Sequence, residues 1–270
     1  MSNESNKART APRAHERVKA ARKPDRPRVG AYISDLFDDF FEIHGDRLFG
    51  DDAAMLCGIA AFEGRPVTVA GSVKGTDLDS NIARNFGMAS PDGYRKFQRA
   101  IKQAEKFGRP VVTFIDTPGA SPTATAEERG QGEAIARCLF ELSGLKTPVI
   151  AVFTGEGGSG GALALGLADS VIMLENAIYS VLSPEGFASI LWKDASRAEE
   201  AAEVMKLTAE DLRGFGMADA IVREPHGGAG ANRPALMRAL RPVLRRALNE
   251  LCALDTETLL AQRYKKYRKF

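Results

Sequence analysis

The chain has few cysteines and lacks long apolar runs. Its three cysteines, Cys57, Cys138 and Cys252, are odd in number and far apart, which argues against a disulfide framework and against a zinc site formed by this chain alone. No apolar run approaches the roughly 18–20 residues that span a bilayer, and residues 1–28 lack the apolar core of a secretory signal. We therefore expect a cytoplasmic protein without a membrane contact.

Histidine is also scarce, and both ends of the chain carry an excess of positive charge. Three histidines in 270 residues leave little material for acid–base catalysis by imidazole. Residues 1–29 carry nine Lys/Arg against three Asp/Glu, and residues 263–270 carry five against none, although the whole chain is only +2. Solvated tails account for these ends. Since no nucleic-acid motif accompanies them, we expect no nucleic-acid partner.

Patterns of strand and helix alternate along most of the chain. Residues 30–45 have apolar residues at helical spacing, and the runs 53–62 and 66–73 flank a hairpin signal. Continuous apolar strands separated by helical segments then indicate a parallel sheet covered on both faces. The predicted helices are 91–107, 126–142, 184–192, 196–205, 208–214 and long ones from about 233, and the predicted strands are 110–116, 148–153, 170–175 and 220–222.

These patterns divide the chain into a short tail and one large domain. Residues 1–28 are rich in Arg, Lys, Ala and Pro with few large apolar side chains, so we expect a flexible basic segment. Residues 29–270 hold no repeat and no Ser/Gly linker, and we expect a single α/β domain there with helices at its C-terminal end.

The densest chemical signal is the glycine segment, TGEGGSGGA at residues 154–162, between a buried strand and a helix. Glycine lets the backbone approach a ligand closely. Five glycines at a helix N-terminus also offer exposed N–H groups and the positive end of the helix dipole, a ready site for an anion or oxyanion. Packing alone would not require so many glycines.

Two other motifs fit the same residues. Gly155-x-Gly157-x-x-Gly160, with Glu175 further on, matches a dinucleotide fingerprint, although that motif normally opens the first βα unit. Gly157-x-Ser159-x-Gly161 matches a hydrolase nucleophile elbow, for which His226 is the only downstream histidine. A third interpretation is a backbone oxyanion hole that uses no side-chain nucleophile.

Several motifs together resemble one family. IDTPGA (115–120), AEERGQ (126–131), the glycine segment and the YSV to SPEG run (179–186) occur in an order and spacing similar to those of the bacterial acetyl-CoA carboxylase carboxyltransferase alpha subunits. RNFGM (84–88) and GYRK (93–96) extend the resemblance. Each motif is weak by itself, but the ordered set is specific and covers roughly residues 27–268.

The resemblance implies a fold and an assembly. The fold would be crotonase-like (ClpP/crotonase), a superhelix of ββα units with helical additions at the N- and C-termini. The assembly would be an α2β2 heterotetramer with a zinc-ribbon carboxyltransferase beta subunit, working with biotin carboxylase and the biotin carboxyl carrier protein. This chain would supply mainly the biotin side of the site and would hold no metal.

The resemblance also implies a chemistry for the glycine segment. Carboxybiotin on the carrier protein would give its carboxyl group to acetyl-CoA, forming malonyl-CoA for fatty acid synthesis. Backbone N–H groups of Gly160 and Gly161 would stabilise the ureido oxygen as its negative charge develops, which needs no general base from this chain. The pocket would be lined by further residues, namely Gly119, Ala120, Gly157 and Gly158, with an N-cap from Ser183 to Gly186 nearby.

Some residues depart from the family pattern or carry alternatives. Ser121, Pro122 and Thr123 stand where the family usually has Tyr-Pro-Gly, which leaves the preferred acyl-CoA open. Asp116 is interpreted as a turn or cap residue rather than a catalyst. A crotonase-type hydratase or decarboxylase would need paired carboxylates, for which Glu127 and Glu128 are the near candidates. A non-enzymatic scaffold is the remaining alternative.

Overall fold

The computed structural model describes residues 13–270, which fold around an eight-stranded mixed sheet with helices packed against it. The strands are β1 (Asp38–Glu42), β2 (Met55–Phe62), β3 (Arg65–Ser72), β4 (Val111–Thr117), β5 (Val149–Gly158), β6 (Ser170–Leu174), β7 (Ile178–Ser180) and β8 (Ala220–Val222). The helices are α1 (Ala14–Ala21), α2 (Val29–Leu36), α3 (Leu78–Ala83), α4 (Pro91–Lys106), α5 (Ala124–Glu128), α6 (Gln131–Gly144), α7 (Ser159–Gly166), α8 (Pro184–Trp192), α9 (Ala198–Met205), α10 (Ala209–Gly214), α11 (Arg233–Cys252) and α12 (Thr256–Tyr267).

The sheet has the order β1-β2-β3-β4-β5-β6-β8, and β7 pairs with the end of β5. β1, β2 and β3 are antiparallel, whereas β3 to β6 and β8 are parallel. The expected hairpin and the expected parallel strands are confirmed, and β4 is buried along its whole length. Because parallel strands share a direction, the segments that follow β3, β4 and β5 meet at one edge of the sheet.

Two predicted helices are wrong in their extent. The helix expected over 30–45 ends at Leu36, and the next residues form β1, which pairs antiparallel with β2 as an edge strand. Apolar spacing alone could not separate the two states, since the pairing partner decides. The helix expected over 126–142 is broken at Gly130, whose φ of 82° is left-handed and separates α5 from α6.

The basic N-terminal segment is packed against the body wherever the structure describes it. Residues 1–12 lie outside the described residues. Val18 of α1 is buried in a small apolar cluster with α9, and the guanidinium of Arg26 donates to the carbonyl oxygen of Thr154 at 2.9 Å. The expectation of a flexible segment through residue 28 therefore does not hold from Arg13 onward. The buried Arg26, for example, joins this segment to β5.

The C-terminal helices are fastened by a second buried arginine. Arg263 of α12 is 2% exposed and pairs with Asp169 at 2.7 Å. Asp169 also accepts the N–H of Val149 at 2.8 Å, at the first residue of β5.

Within residues 13–270, no helix has the length and apolar character needed to cross a bilayer.

Candidate active site

Two stretches of backbone are in direct contact where β4 and β5 end. A Cβ on Gly158 would overlap the carbonyl group of Pro118, and a Cβ on Gly161 would lie 2.5 Å from the amide nitrogen of Ala120. Only glycine lets two main chains approach this closely. The backbone of the turn after β4 thus packs directly against the start of α7.

Most glycines of the segment are needed for packing, contrary to expectation. A Cβ on Gly155 would overlap the carboxylate of Asp116, and one on Gly157 would lie 2.6 Å from the ring of Phe153. Gly160 differs, since a Cβ there would make only ordinary contacts. The number of glycines therefore reflects the crowding of β5 and α7 against neighbouring backbone, and it does not by itself indicate a ligand.

The start of α7 is nevertheless well suited to hold negative charge. β5 runs without a loop into α7, and Ser159 takes the left-handed φ of 48° that turns the chain into the helix. The N-cap residue, Gly158, provides no side-chain hydrogen bond. The first N–H groups of a helix have no acceptor inside it, so the amides of Gly160 and Gly161 lie at the positive end of the helix dipole.

The turn after β4 lies against the start of α7, and the Gly119 amide in it is hydrogen-bonded within the turn. The Thr117 hydroxyl accepts the N–H of Gly119 at 3.1 Å and donates to the carbonyl oxygen of the same residue at 2.6 Å. Gly119 is buried and Ala120 is half-buried. These two residues lie next to Gly161, and the Gly119 amide is engaged within its turn.

The start of α8 is brought toward the glycine segment by β7. Ser180 of β7 pairs with Gly158 of β5, and α8 begins a few residues later. The predicted N-cap is confirmed, because the Ser183 hydroxyl accepts the N–H of Gly186 at 3.0 Å. The Gly186 amide is therefore already hydrogen-bonded, and the residues of this N-cap shape the space beside the glycine segment.

A buried charged cluster behind the glycine segment was missed by sequence reasoning. The ammonium of Lys74 lies 2.7 Å from the carboxylate of Asp116 and 2.8 Å from that of Glu156. Arg28 lies 3.0 Å from Asp116, and Arg22 lies 2.7 Å from Glu156. A turn or cap role for Asp116 is thus wrong. The available signal was one charged residue at or near the end of each of three neighbouring parallel strands.

The residues at the centre of this cluster keep their charges at neutral pH. Burial alone would raise the pKa of Asp116, but the cations of Lys74 and Arg28 outweigh it and hold that pKa below its usual range. Burial alone would lower the pKa of Lys74, whereas its two carboxylate partners raise it. The ion pair between Asp116 and Lys74 is therefore charged at neutral pH.

The nucleophile-elbow and dinucleotide interpretations lack their partners. Ser159 is exposed, and among the hydrogen bonds of residues 13–270 none joins it to His226. Glu175 accepts the N–H of Glu224 at 3.0 Å, so it is engaged at the ends of β6 and β8. β5 is also a late strand of its sheet, whereas a dinucleotide fingerprint opens the first unit.

The two candidate carboxylates, Glu127 and Glu128, do not form a pair at a site. Glu127 and Glu128 are both exposed on the short α5, and adjacent residues of a helix do not face each other. In the portion of the chain that the structure covers, no group of three or more His, Cys, Asp or Glu side chains is arranged to hold a metal ion.

Comparison with known proteins identifies the family. The profile described as "Acetyl co-enzyme A carboxylase carboxyltransferase-like" matches residues 2–270. The acetyl-coenzyme A carboxylase carboxyl transferase subunit alpha of Clostridium botulinum (strain Eklund 17B) is 57% identical over 94% of this chain and 93% of that protein. The subunit of the same name from Anoxybacillus flavithermus is 58% identical over 94% of this chain and 78% of that protein. The chain belongs to this carboxyltransferase alpha-subunit family.

Solved structures agree with this family in fold. Transcarboxylase 12S matches with a TM-score of 0.70 at 19% identity, over 90% of this chain and 45% of that one. A chain of a Pseudomonas malonate decarboxylase hetero-tetramer matches with a TM-score of 0.68 at 18% identity, over 86% and 90%. The expected crotonase-like α/β fold is confirmed, and the chain belongs to a carboxyltransferase family that acts on CoA esters.

Proposed function

We propose that this alpha-family chain supplies the carboxybiotin half of the carboxyltransferase site, with the amides of Gly160 and Gly161 as its oxyanion donors. The observation that carries the proposal is the uncapped start of α7, held against the Gly119–Ala120 peptide at a spacing that only Gly161 allows. Donors fixed in this way need no reorganisation when charge develops in the transition state.

The residues present fit a carboxybiotin group as donor. Bound there, carboxybiotin supplies an activated carboxyl group and a ureido oxygen that gains negative charge as the carboxyl leaves. The α7 amides donate hydrogen bonds to that oxygen, and the Gly119 turn limits where it can lie. Each well-placed donor contributes about 3–4 kcal/mol to the transition state. The proton of the acetyl methyl group would go to the biotin nitrogen that loses the carboxyl group, so no base from this chain is needed.

The proposed assembly includes a beta-type subunit that completes the site and binds most of acetyl-CoA. An α2β2 heterotetramer is supported by the hetero-tetrameric architecture of the malonate decarboxylase neighbour. The biotin carboxyl carrier protein and biotin carboxylase complete the proposed set of partners. A cytoplasmic location is part of the proposal and is supported by the free thiols of Cys57 and Cys138, which are buried without forming a disulfide.

The test uses the chain purified together with a beta-type subunit. Malonyl-CoA formation is measured from acetyl-CoA and carboxylated carrier for the wild type, Gly161→Ala and Gly144→Ala. Gly144 is a matched control, since a Cβ there has nothing within 4 Å. We expect Gly161→Ala to lower kcat by at least about 100-fold, because its methyl group displaces the α7 amides, while Gly144→Ala keeps full activity.

Two results would contradict the proposal. Full activity of the Gly161→Ala complex would remove the oxyanion role of the α7 start. Malonyl-CoA formation by the purified chain without any beta-type subunit would remove the shared site.

A further inference from the structure

β5 departs from a regular ladder in the first residues of the glycine segment. Ile115 pairs with Phe153 and Thr117 pairs with Gly157, so Asp116 alone lies opposite the three residues 154–156. Such a bulge interrupts the backbone hydrogen bonds and bends the strand. The direction in which β5 enters α7 is therefore decided at this bulge.

The side chain of Asp116 replaces part of the interrupted ladder. Its Oδ1 accepts the N–H of Glu156 at 3.0 Å and the ammonium of Lys74 at 2.7 Å. The carboxylate occupies the space in which a side chain at Gly155 would lie. Its own backbone N–H is fixed to the hydroxyl of Ser72 at 2.8 Å. One buried carboxylate thus joins the ends of β3, β4 and β5.

Glu156 extends the same cluster to α8. Its Oε2 accepts from Lys74 at 2.8 Å and its Oε1 accepts from Arg22 at 2.7 Å. Arg22 also donates to Glu185, in the first turn of α8, at 2.7 Å. With Arg28 beside Asp116 and Glu185 beside Arg22, the cluster holds three cations and three anions, so each charge has an opposite partner.

We infer that Asp116, Lys74 and Glu156 are positioning residues of the carboxyltransferase reaction, which act by fixing the β5 bulge and hence the direction of the α7 amides. The effect on turnover rests on the proposed role of those amides, whereas the effect on the bulge does not. Small displacements of groups that stabilise a transition state have large consequences, about 100-fold for 1 Å.

A buried pair at the other end of β5 provides the control. Asp169 pairs with Arg263 and accepts the N–H of Val149, so it also joins a buried charge to the backbone of β5. Its contacts lie at the amino end of the strand, away from the bulge. Asp169→Asn therefore tests the loss of a buried ion pair without a change at the glycine segment.

The experiment compares Asp116→Asn with Asp169→Asn in the complex with a beta-type subunit. For Asp116→Asn we expect kcat per folded complex to fall about 100-fold, with KM for acetyl-CoA unchanged. Amide hydrogen exchange should become faster in residues 155–162. Asp169→Asn should leave both kcat and exchange in that segment as in the wild type. Glu156→Gln, which lies nearer the rim of the cluster and keeps the side-chain shape, should change the same two quantities by a smaller factor and serves if Asp116→Asn does not fold.

The outcomes separate this inference from the proposed function. Unchanged kcat and unchanged exchange in both cluster variants would overturn the positioning role, even if Gly161→Ala is inactive. Faster exchange in residues 155–162 together with a fully active Gly161→Ala complex would uphold the positioning of the bulge and overturn the oxyanion role.

Discussion

Each end of β5 has a buried carboxylate that accepts a backbone N–H of the strand, but the backbone around the two carboxylates differs. At the amino end, Asp169 accepts the N–H of Val149 and pairs with the buried Arg263, which fastens α12 to a regular ladder. At the carboxyl end, Asp116 accepts the N–H of Glu156 inside a bulge where the ladder is interrupted. Both ends therefore use a buried carboxylate to satisfy one strand amide.

The glycines at the two ends differ in the same way. Gly144, just before β5, has open space around the position of a Cβ, whereas Gly158, at its end, faces the carbonyl group of Pro118 directly. At the amino end the buried ion pair joins α12 to β5 and packing does not require the glycine, whereas at the carboxyl end the carboxylate and the glycine both lie against the backbone that leads into α7. A buried ion pair or a glycine indicates a site only when it controls where unpaired N–H groups lie.

The largest expected effect on activity is that of Gly158→Ala at the carboxyl end. The added methyl group would overlap the Pro118 carbonyl group, and rigid backbone on both sides cannot yield as a side chain could. We expect a complex without measurable malonyl-CoA formation and a loss of at least about 1–3 kcal/mol in the free energy of unfolding. Full activity of this variant would break the comparison.

Asp169→Asn at the amino end should lower stability and leave activity unchanged. Removing one partner leaves the Arg263 guanidinium buried without its counter-charge, which costs about 3–5 kcal/mol of unfolding free energy. Denaturant unfolding measures this loss, and kcat of the folded complex should equal that of the wild type. A large fall in kcat would show that the two ends are coupled.

A pH series sharpens the comparison at Asp116. Its pKa is lowered in the folded state, against the opposing effect of burial, by Lys74 and Arg28. A carboxyl group with a lowered pKa contributes stability that is complete above its ordinary value of about 4 and is lost as pH falls through its folded value. The difference in unfolding free energy between wild type and Asp116→Asn should therefore be largest at neutral pH. It should shrink below about pH 4, and a pH-independent difference would contradict the assignment of charge.

The smallest effect is expected from Gly144→Ala. The site has room for a methyl group, and alanine restricts the unfolded chain more than glycine does, so we expect a gain of about 0.4–1 kcal/mol. Thermal unfolding measures it. A loss of stability would mean that this end of the molecule is as tightly constrained as the other.

Local sequence was sufficient wherever an element is decided by its own residues. The apolar runs of β4 and β5, the Pro91 start of α4 and the Ser183 cap of α8 are all present as expected. Helix caps and continuous apolar strands depend on neighbours within a few residues, so spacing reports them. The edge strand β1 was missed because its pairing with β2 lies outside that range.

The features of the candidate site also fall into those that local sequence determines and those that tertiary contacts determine. The sequence by itself determined the glycine segment, its position between strand and helix, and the family, because these depend on consecutive residues and ordered motifs. The tertiary structure alone decided which glycines are required by packing and which charges surround them. Lys74 meets Asp116 across 42 residues and Glu156 across 82. These contacts form because the parallel strands β3, β4 and β5 bring their carboxyl ends to one edge of the sheet.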